Sequence, residues 1–304
     1  MMNHFISIAD LTKAQFDDLL ALALQLKQEL RDTGKNQPVF AGKTLAMVFQ
    51  KPSLRTRTSF DVGTYQLGGL ALYLSPNEIQ LGKRESVADA ARVLGRYVNM
   101  IMARVFAHDD ILELAKYAPV PVINGLSDYN HPCQGMADYL TMLEEWGSFD
   151  GRTLAYVGDG NNVVTSLINA AVHSGVTLHV ATPKGYEPPA SVVEQARERG
   201  ATIHLFTDPA EAVTEVDAIY TDAWSSMGQE AETEKRLRIF PPYQINQALL
   251  AHASPEVIVL HCLPAHRGQE ITDDVADSSH SRLWDQAENR LHAQKAIMVR
   301  LSGF

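Results

Sequence analysis

The ten residues KPSLRTRTSF, 51–60, place two serines, two threonines and two arginines just after the apolar run TLAMVF (44–49). These types in this order suit an anion. Ser53 can cap a helix whose first amide groups lack partners of their own, and the helix dipole favours negative charge at that end. Arg55 and Arg57 add fixed charge in a fork that matches phosphate oxygens. A capped surface helix with solvated arginines carries the same letters, so the stretch alone leaves both readings open.

Other segments narrow the chemistry. Gly42-Lys43-Thr44 resembles the end of a nucleotide P-loop, but Gln37 stands at the first glycine position and the segment precedes the strand instead of following it. In GDGNN, Gly158 and Gly160 suggest a dinucleotide fingerprint. Val163 holds the third glycine position, however, and the next strand ends in HVATP with no carboxylate for a ribose, which disfavours NAD. Asn161 and Asn162 can offer amides to a polar small molecule or cap a helix. His261 and His266 do not form an HExxH pattern, and His131 has no partner at helical ligand spacing, so the expectation is no metal. Cys262 follows His261 directly, and neighbours on a strand point to opposite faces. A Cys-His dyad would therefore need a histidine from elsewhere.

These residues sit on a regular alternation. Residues 12–32 read as an amphipathic helix, with Thr12 and Gln15 at capping-box spacing and Phe16, Leu19, Leu20, Ala23, Leu26 and Leu30 near one face. Strand-like runs at 44–49, 71–74, 100–105 and 120–124 alternate with helical segments at 85–98, 109–118 and 131–147. A second series starts at 153–160 and continues with strands at 177–183, 202–206, 218–222 and 256–264, and a helix at 287–301 closes the chain. The pattern predicts parallel βαβ units in two α/β halves joined near residue 148. Ligands of such sheets bind beyond the carboxyl ends of the strands. The polar segments there (SLRTR, Arg104, HPCQ, GDGNN, DAWSSMG and HCLPAHRG) suggest a cleft lined from both halves.

The chain has 304 residues, 45% hydrophobic and 20% charged, with a formal net charge of −10. That acidity argues against nucleic acid or an anionic membrane as the main partner, and any anion must be held locally. No run approaches the roughly 18 apolar residues of a membrane span. Asp10, Asp17 and Asp18 interrupt the N-terminal segment, which is not expected to be a signal peptide. Two distant cysteines, Cys133 and Cys262, make a disulfide framework unexpected and a cytoplasmic location the default.

SLRTRTSF, IQLGKRES, MARVF, NGLSDYNHPCQ, YVGDGNN, DAWSSMGQE, HCLP and DQAENR occur in the order and approximate spacing of ornithine carbamoyltransferases. From about residue 40 onward the chain resembles that family, which is grouped with the aspartate carbamoyltransferases. The resemblance implies an α/β fold of two domains, each a parallel sheet flanked by helices, with the C-terminal helix returning to the N-terminal domain. Residues 1–147, with 287–304 packing back, would bind carbamoyl phosphate, and 148–286 would bind ornithine. The implied reaction transfers a carbamoyl group to the δ-amine of L-ornithine, giving L-citrulline and phosphate in arginine metabolism, without a cofactor.

By motif match, Ser53, Leu54, Arg55, Thr56, Arg104, His131, Gln134, Cys262, Leu263 and Arg290 would hold carbamoyl phosphate. Gln80 would reach a neighbouring subunit's site, since family members form trimers, or multiples of trimers, that share sites. Asn162, Asp222, Ser226 and Met227 would bind ornithine, and Arg104, His131, Asp222 and Cys262 would be catalytic. Many family members carry threonine where this chain has Leu54. A sister enzyme acting on aspartate, putrescine or an acylated ornithine is the alternative, as is a non-catalytic binding protein; SSMG favours free ornithine, and the filled catalytic positions favour an enzyme.

Overall fold

The computed structural model describes residues 2–225 and 232–304. The chain forms two compact units, Met1–Leu140 with Glu288–Phe304, and Thr141–Ala287. Among the described residues no helix is long and apolar enough to cross a membrane.

The first unit begins with helix α1 (Lys13–Thr33). Thr12 and Gln15 close the expected capping box, and Gly34, at φ 72°, ends the helix in the left-handed region. There follow β1 (Thr44–Phe49), α2 (Leu54–Gln66), β2 (Leu70–Leu74), α3 (Pro76–Ile79), α4 (Val87–Leu94), β3 (Met100–Arg104), α5 (His108–Tyr117), β4 (Val122–Leu126) and the start of α6 (Pro132–Trp146). All four strands are parallel, in the order β2-β1-β3-β4. TLAMVF is an unbroken apolar run because β1 lies between two neighbours and Leu45–Phe49 are fully buried. β2, at the edge, leaves Leu70 and Leu72 exposed.

Several element ends differ from the sequence expectation, three of them for reasons visible in the packing and backbone. α4 stops at Leu94 because Gly95 packs directly on Pro119; a Cβ there would lie 2.3 Å from the proline ring. β4 starts at Val122, after Pro121, a residue with no N–H to give to a ladder. The last strand of the second unit ends at His261 because Leu263, at φ 59°, turns the chain.

The second unit contains β5 (Thr153–Val157), α7 (Asn162–Ser174), β6 (Thr177–Ala181), α8 (Ala190–Glu198), β7 (Ile203–Phe206), α9 (Pro209–Ala212), β8 (Ala218–Thr221), α10 (Thr233–Ile239), α11 (Gln247–Leu250), β9 (Ile258–His261) and α12 (Asp273–Ala276). Its parallel sheet runs β7-β6-β5-β8-β9. The chain builds outward from β5 to β7, then restarts on the other side with β8. The order therefore reverses between β5 and β8, the position where open α/β sheets bind ligands.

Helix α13 (Leu283–Leu301) closes the chain. From Glu288 onward it packs in the first unit, as expected for the returning helix. Lys27 Nζ donates to Asn289 Oδ1 at 2.7 Å, and Lys295 Nζ donates to Asn36 Oδ1 at 2.6 Å and Gln66 Oε1 at 2.8 Å.

Candidate functional site

In the first unit, β1 and β3 end side by side, with Phe49 opposite Arg104, and β4 pairs Leu126 with Arg104. That register places the start of α2, Arg104 and the 127–131 segment at one edge of the sheet. Ser53 caps α2: its Oγ accepts the Thr56 N–H at 3.3 Å and donates to Thr56 Oγ1 at 3.1 Å. Thr56 is fully buried, and its Oγ1 also accepts from Arg290 Nη2 at 2.8 Å and Arg104 Nη1 at 3.5 Å. Three segments far apart in sequence thus converge on one hydroxyl.

His131 is buried beside this hydroxyl cluster. Burial holds its pKa well below the usual histidine value, and Arg290, Arg104, Lys51 and Arg55 push the same way. The imidazole is neutral at physiological pH and serves as a hydrogen-bonding group. Gln134, 1% exposed, donates Nε2–H to Asp138 Oδ1 at 2.8 Å. Leu54, by contrast, is 78% exposed at the first position of α2, so it lends this region its backbone amide. Arg57 stacks on the Tyr73 ring, 3.9 Å from its centroid, and is not among the cations acting on His131.

Gln80 is exposed and bonds locally, its Nε2 donating to the Asn77 carbonyl at 3.4 Å. Cys133 is buried with its thiol pushed up to about 12 and donates to the Asn124 carbonyl. It is a packing residue.

In the second unit, the ends of β5, β8 and β9 carry the candidate residues. Asn161 is the cap: its Oδ1 accepts the N–H groups of Val163 and Val164, while its Nδ2 donates to Asp222 Oδ2 at 2.6 Å. Asn162 opens α7 and is half-buried. Asp222 Oδ1 accepts from the Ala223 N–H at 2.8 Å and from the Cys262 thiol at 2.9 Å. The carboxylate is therefore fixed by three donors from three loops. Gly160 serves packing and not a pyrophosphate. A Cβ there would lie 2.3 Å from the backbone of Glu187 and Pro188, and its N–H donates to the Tyr186 carbonyl.

His261 braces the turn after β9. Its Nε2–H donates to Glu270 Oε1 at 3.0 Å, and its Nδ1 accepts the Leu263 N–H at 2.9 Å. This bond stabilises the left-handed backbone of Leu263, a conformation costly for a branched side chain. One ligand atom from each of Asp222, His261 and Cys262 lies within 4.8 Å of the others. Those atoms are already engaged in hydrogen bonds, so the cluster reads as a network that aims the thiol and carboxylate. Ser226 and Met227 lie outside the described residues.

Sequence reasoning passed over two groups. Arg236, 5% exposed, pairs with Asp159 at 2.9 Å and donates to the Trp224 carbonyl at 2.8 Å, two residues beyond Asp222. Burial still pushes Asp159 up to about 6, outweighing the arginine. Lys51, within the KPSLRTRTSF stretch, is 8% exposed. Its amine lies 4.9 Å from the Phe106 ring centroid.

The chain matches two family profiles: "Aspartate/ornithine carbamoyltransferase, carbamoyl-P binding domain" over residues 3–144, and "Aspartate/ornithine carbamoyltransferase, Asp/Orn binding domain" over residues 150–301. It is 55% identical over 301 residues to the ornithine carbamoyltransferase of Methanocorpusculum labreanum, covering 99% of this chain and 98% of that one. It is 56% identical over 274 residues to the anabolic ornithine carbamoyltransferase of Pyrococcus furiosus, covering 89% of this chain and 87% of that one. The solved structure of ornithine carbamoyltransferase from Pyrococcus furiosus superposes with a TM-score of 0.94 at 52% identity, over 97% of this chain and 96% of that one.

Proposed function

The chain belongs to the aspartate/ornithine carbamoyltransferase family, and from that premise we propose that it transfers the carbamoyl group of carbamoyl phosphate to the δ-amine of L-ornithine, forming L-citrulline and phosphate in arginine biosynthesis. The observation that carries this reading is the Thr56 hydroxyl drawn between Arg104 and Arg290 at the capped start of α2. It offers a phosphate its helix amides and guanidinium groups, and a carbonyl oxygen a ring of donors.

In this reading the phosphate rests on Ser53, the Leu54 amide, Arg55 and Thr56, with Gln134 and Arg290 beside it. Ornithine is held by Asn162, Asp222, Ser226 and Met227, and Cys262 and Leu263 line the reacting centre. An alkyl amine has a pKa of about 10.4, so at pH 7 only about one molecule in a few thousand is ready to attack. Asp222 and Cys262 orient the ammonium and ease loss of its proton. The amine adds to the carbonyl carbon, and Arg104, the neutral His131 and Thr56 stabilise the oxyanion that forms. The C–O bond to phosphate then breaks, the departing phosphate accepts the second nitrogen proton, and the ureido product remains. No carbon changes oxidation state, so the step needs no redox cofactor.

The same reading assigns a homotrimer, or multiples of one, in a cytoplasmic setting that suits two buried free cysteines. Its support is an apolar surface: Leu54, Val62 and Tyr65 are exposed along α2, and Leu70 and Leu72 along β2. Gln80 then completes the site of a neighbouring copy. Light scattering that gives a monomer mass would remove the shared site.

The direct test incubates the protein with carbamoyl phosphate and, separately, ornithine, putrescine, aspartate or acetylornithine, and measures ureido product and phosphate. Citrulline from ornithine is expected; none would overturn the assignment.

A further inference from the structure

Glu270 is fully buried, although it lies in the loop that follows β9. That loop is fastened on both sides of it. The Ile245 N–H donates to the Glu270 carbonyl at 2.9 Å, and the Gly268 N–H to the Ile271 carbonyl at 2.8 Å. Gln244 Nε2 donates to the carbonyls of Gly268 at 3.0 Å and Gln269 at 2.8 Å. Ile271, the next residue, is buried in the core of the second unit. The Glu270 side chain thus has a fixed origin, from which it reaches back to the end of β9.

Its Oε1 accepts two bonds, from His261 Nε2–H at 3.0 Å and from the His266 N–H at 2.5 Å. Its Oε2 is buried with no hydrogen-bond partner among the described residues, 3.7 Å from His266 Nδ1. A carboxylate with one bare oxygen is costly to bury, and packing alone does not account for it. The His261 ring is held from its other side as well. Its backbone N–H donates to Gln286 Oε1 at 2.8 Å, and its Nδ1 accepts the Leu263 N–H at 2.9 Å. A ring nitrogen accepts only when it carries no proton, so the bond to Leu263 requires the proton on Nε2. Glu270 Oε1 receives that proton.

We propose that Glu270 is a positioning residue for carbamoyl transfer, acting through His261 on the Cys262-Leu263 turn. The inference rests on the carbamoyltransferase reading, in which that turn lines the reacting centre, and deepens it. With Oε1 in place the ring keeps its proton on Nε2, and Nδ1 stays open to the Leu263 amide. That bond holds Leu263 at φ 59°, directly after the cysteine whose thiol donates to Asp222. Without an acceptor at Nε2, the proton can sit on Nδ1 and face the Leu263 N–H, donor against donor. The turn then loses the support of its left-handed backbone, and Cys262 shifts against Asp222.

The test joins steady-state citrulline formation to nitrogen NMR of the full chain carrying isotope-labelled histidine, which reads the ring nitrogen that bears the proton. The wild type should show His261 protonated on Nε2, its signals identified by their loss in His261→Asn. Glu270→Met should move proton to Nδ1 and lower kcat about 10- to 100-fold, with both KM values within a few-fold, as for a small displacement of reacting groups. Glu270→Gln keeps an oxygen for both donors, so the tautomer should stay and kcat should hold within a few-fold. Position 261 reads the same relay from the other side. His261→Asn keeps an acceptor for the Leu263 amide with no tautomer to set, and should retain most of its turnover. His261→Gln reaches Glu270 instead and should be as slow as Glu270→Met. Wild-type kcat or an unmoved tautomer in Glu270→Met would overturn the proposal. Should that variant not fold, His261→Asn as slow as His261→Gln would overturn it equally. A wild type that forms no citrulline would overturn the carbamoyltransferase reading itself, whatever the histidine signals show.

Discussion

Arg290 Nη2 donates to Thr56 Oγ1 at 2.8 Å, although 234 residues separate them in sequence. The bond joins the returning helix to the cap of α2, so the start of α2 depends on the tail of the chain. Both groups are buried, and the guanidinium is planar and permanently charged.

Arg290→Lys should therefore behave as a severe substitution. A point charge on a flexible stem cannot bond Thr56 and face a phosphate in the same fixed plane. The expected result is a KM for carbamoyl phosphate raised about 10- to 100-fold, the worth of a charge-assisted hydrogen bond, with the KM for ornithine little changed. An unchanged KM for carbamoyl phosphate would take Arg290 out of the site.

Much of this arrangement was legible in the chain, and its limits have a physical cause. TLAMVF read as a buried strand and Ser53 as a cap because both signals are local. The reversal of strand order between β5 and β8 follows from the alternation only once pairing is known. Nothing local marks Lys51, because Phe106, which covers its amine, lies 55 positions away. Asn161 was open between capping and binding; it caps α7 and also holds Asp222, 61 residues on. Letters and spacing reveal residue type and local geometry, not the distant partner that buries or aims a side chain.

Gly160 and Gly175 should respond very differently to alanine. At Gly160 the added carbon would meet the backbone of Glu187 and Pro188 at 2.3 Å, which only a shift of the loop can relieve. Gly160→Ala should destabilise the protein by about 3 kcal/mol or more, the upper range for overpacking. Gly175 ends α7 at φ 77° with open space around it, so Gly175→Ala should cost about 1 kcal/mol, from backbone conformation alone. Denaturant midpoints for the two variants check the ranking; equal midpoints would contradict the packing at Gly160.

Lys295 should leave a mark on stability in alkaline solution. Burial pushes its amine down to about 8 in the folded chain, against 10.5 for the free group. Between those values the unfolded chain holds a proton that the folded chain has lost, so this residue makes stability rise with pH across the window. A neutral amine still has two hydrogens for Asn36 and Gln66, so both bonds survive. Lys295→Met should be less stable throughout, because buried Asn36 and half-buried Gln66 lose their shared donor. The decisive measurement is the slope of unfolding free energy from pH 8 to 10, wild type minus variant, expected to be positive and at most about 1.4 kcal/mol per pH unit. A zero difference would show that the amine titrates as it does in water, and a negative one that the fold favours its charged form.

The Cys262 thiol and Asp222 carboxylate, 2.9 Å apart, allow two roles to be separated. If the pair orients the attacking amine and eases its deprotonation, Asp222→Asn should lower kcat by about 10²- to 10⁴-fold, the usual range for a lost acid–base group. Its amide would also present a donor where Asn161 already donates, turning the loop against itself. Cys262→Ser keeps a hydroxyl that can donate to Asp222, so its turnover should fall without vanishing. A covalent role predicts the reverse order, with loss of the sulfur abolishing turnover and a carbamoylated Cys262 accumulating when carbamoyl phosphate is supplied without ornithine. Intact-protein mass spectrometry under those conditions should find unmodified protein. An adduct on Cys262 would replace direct attack by a two-step transfer through the thiol.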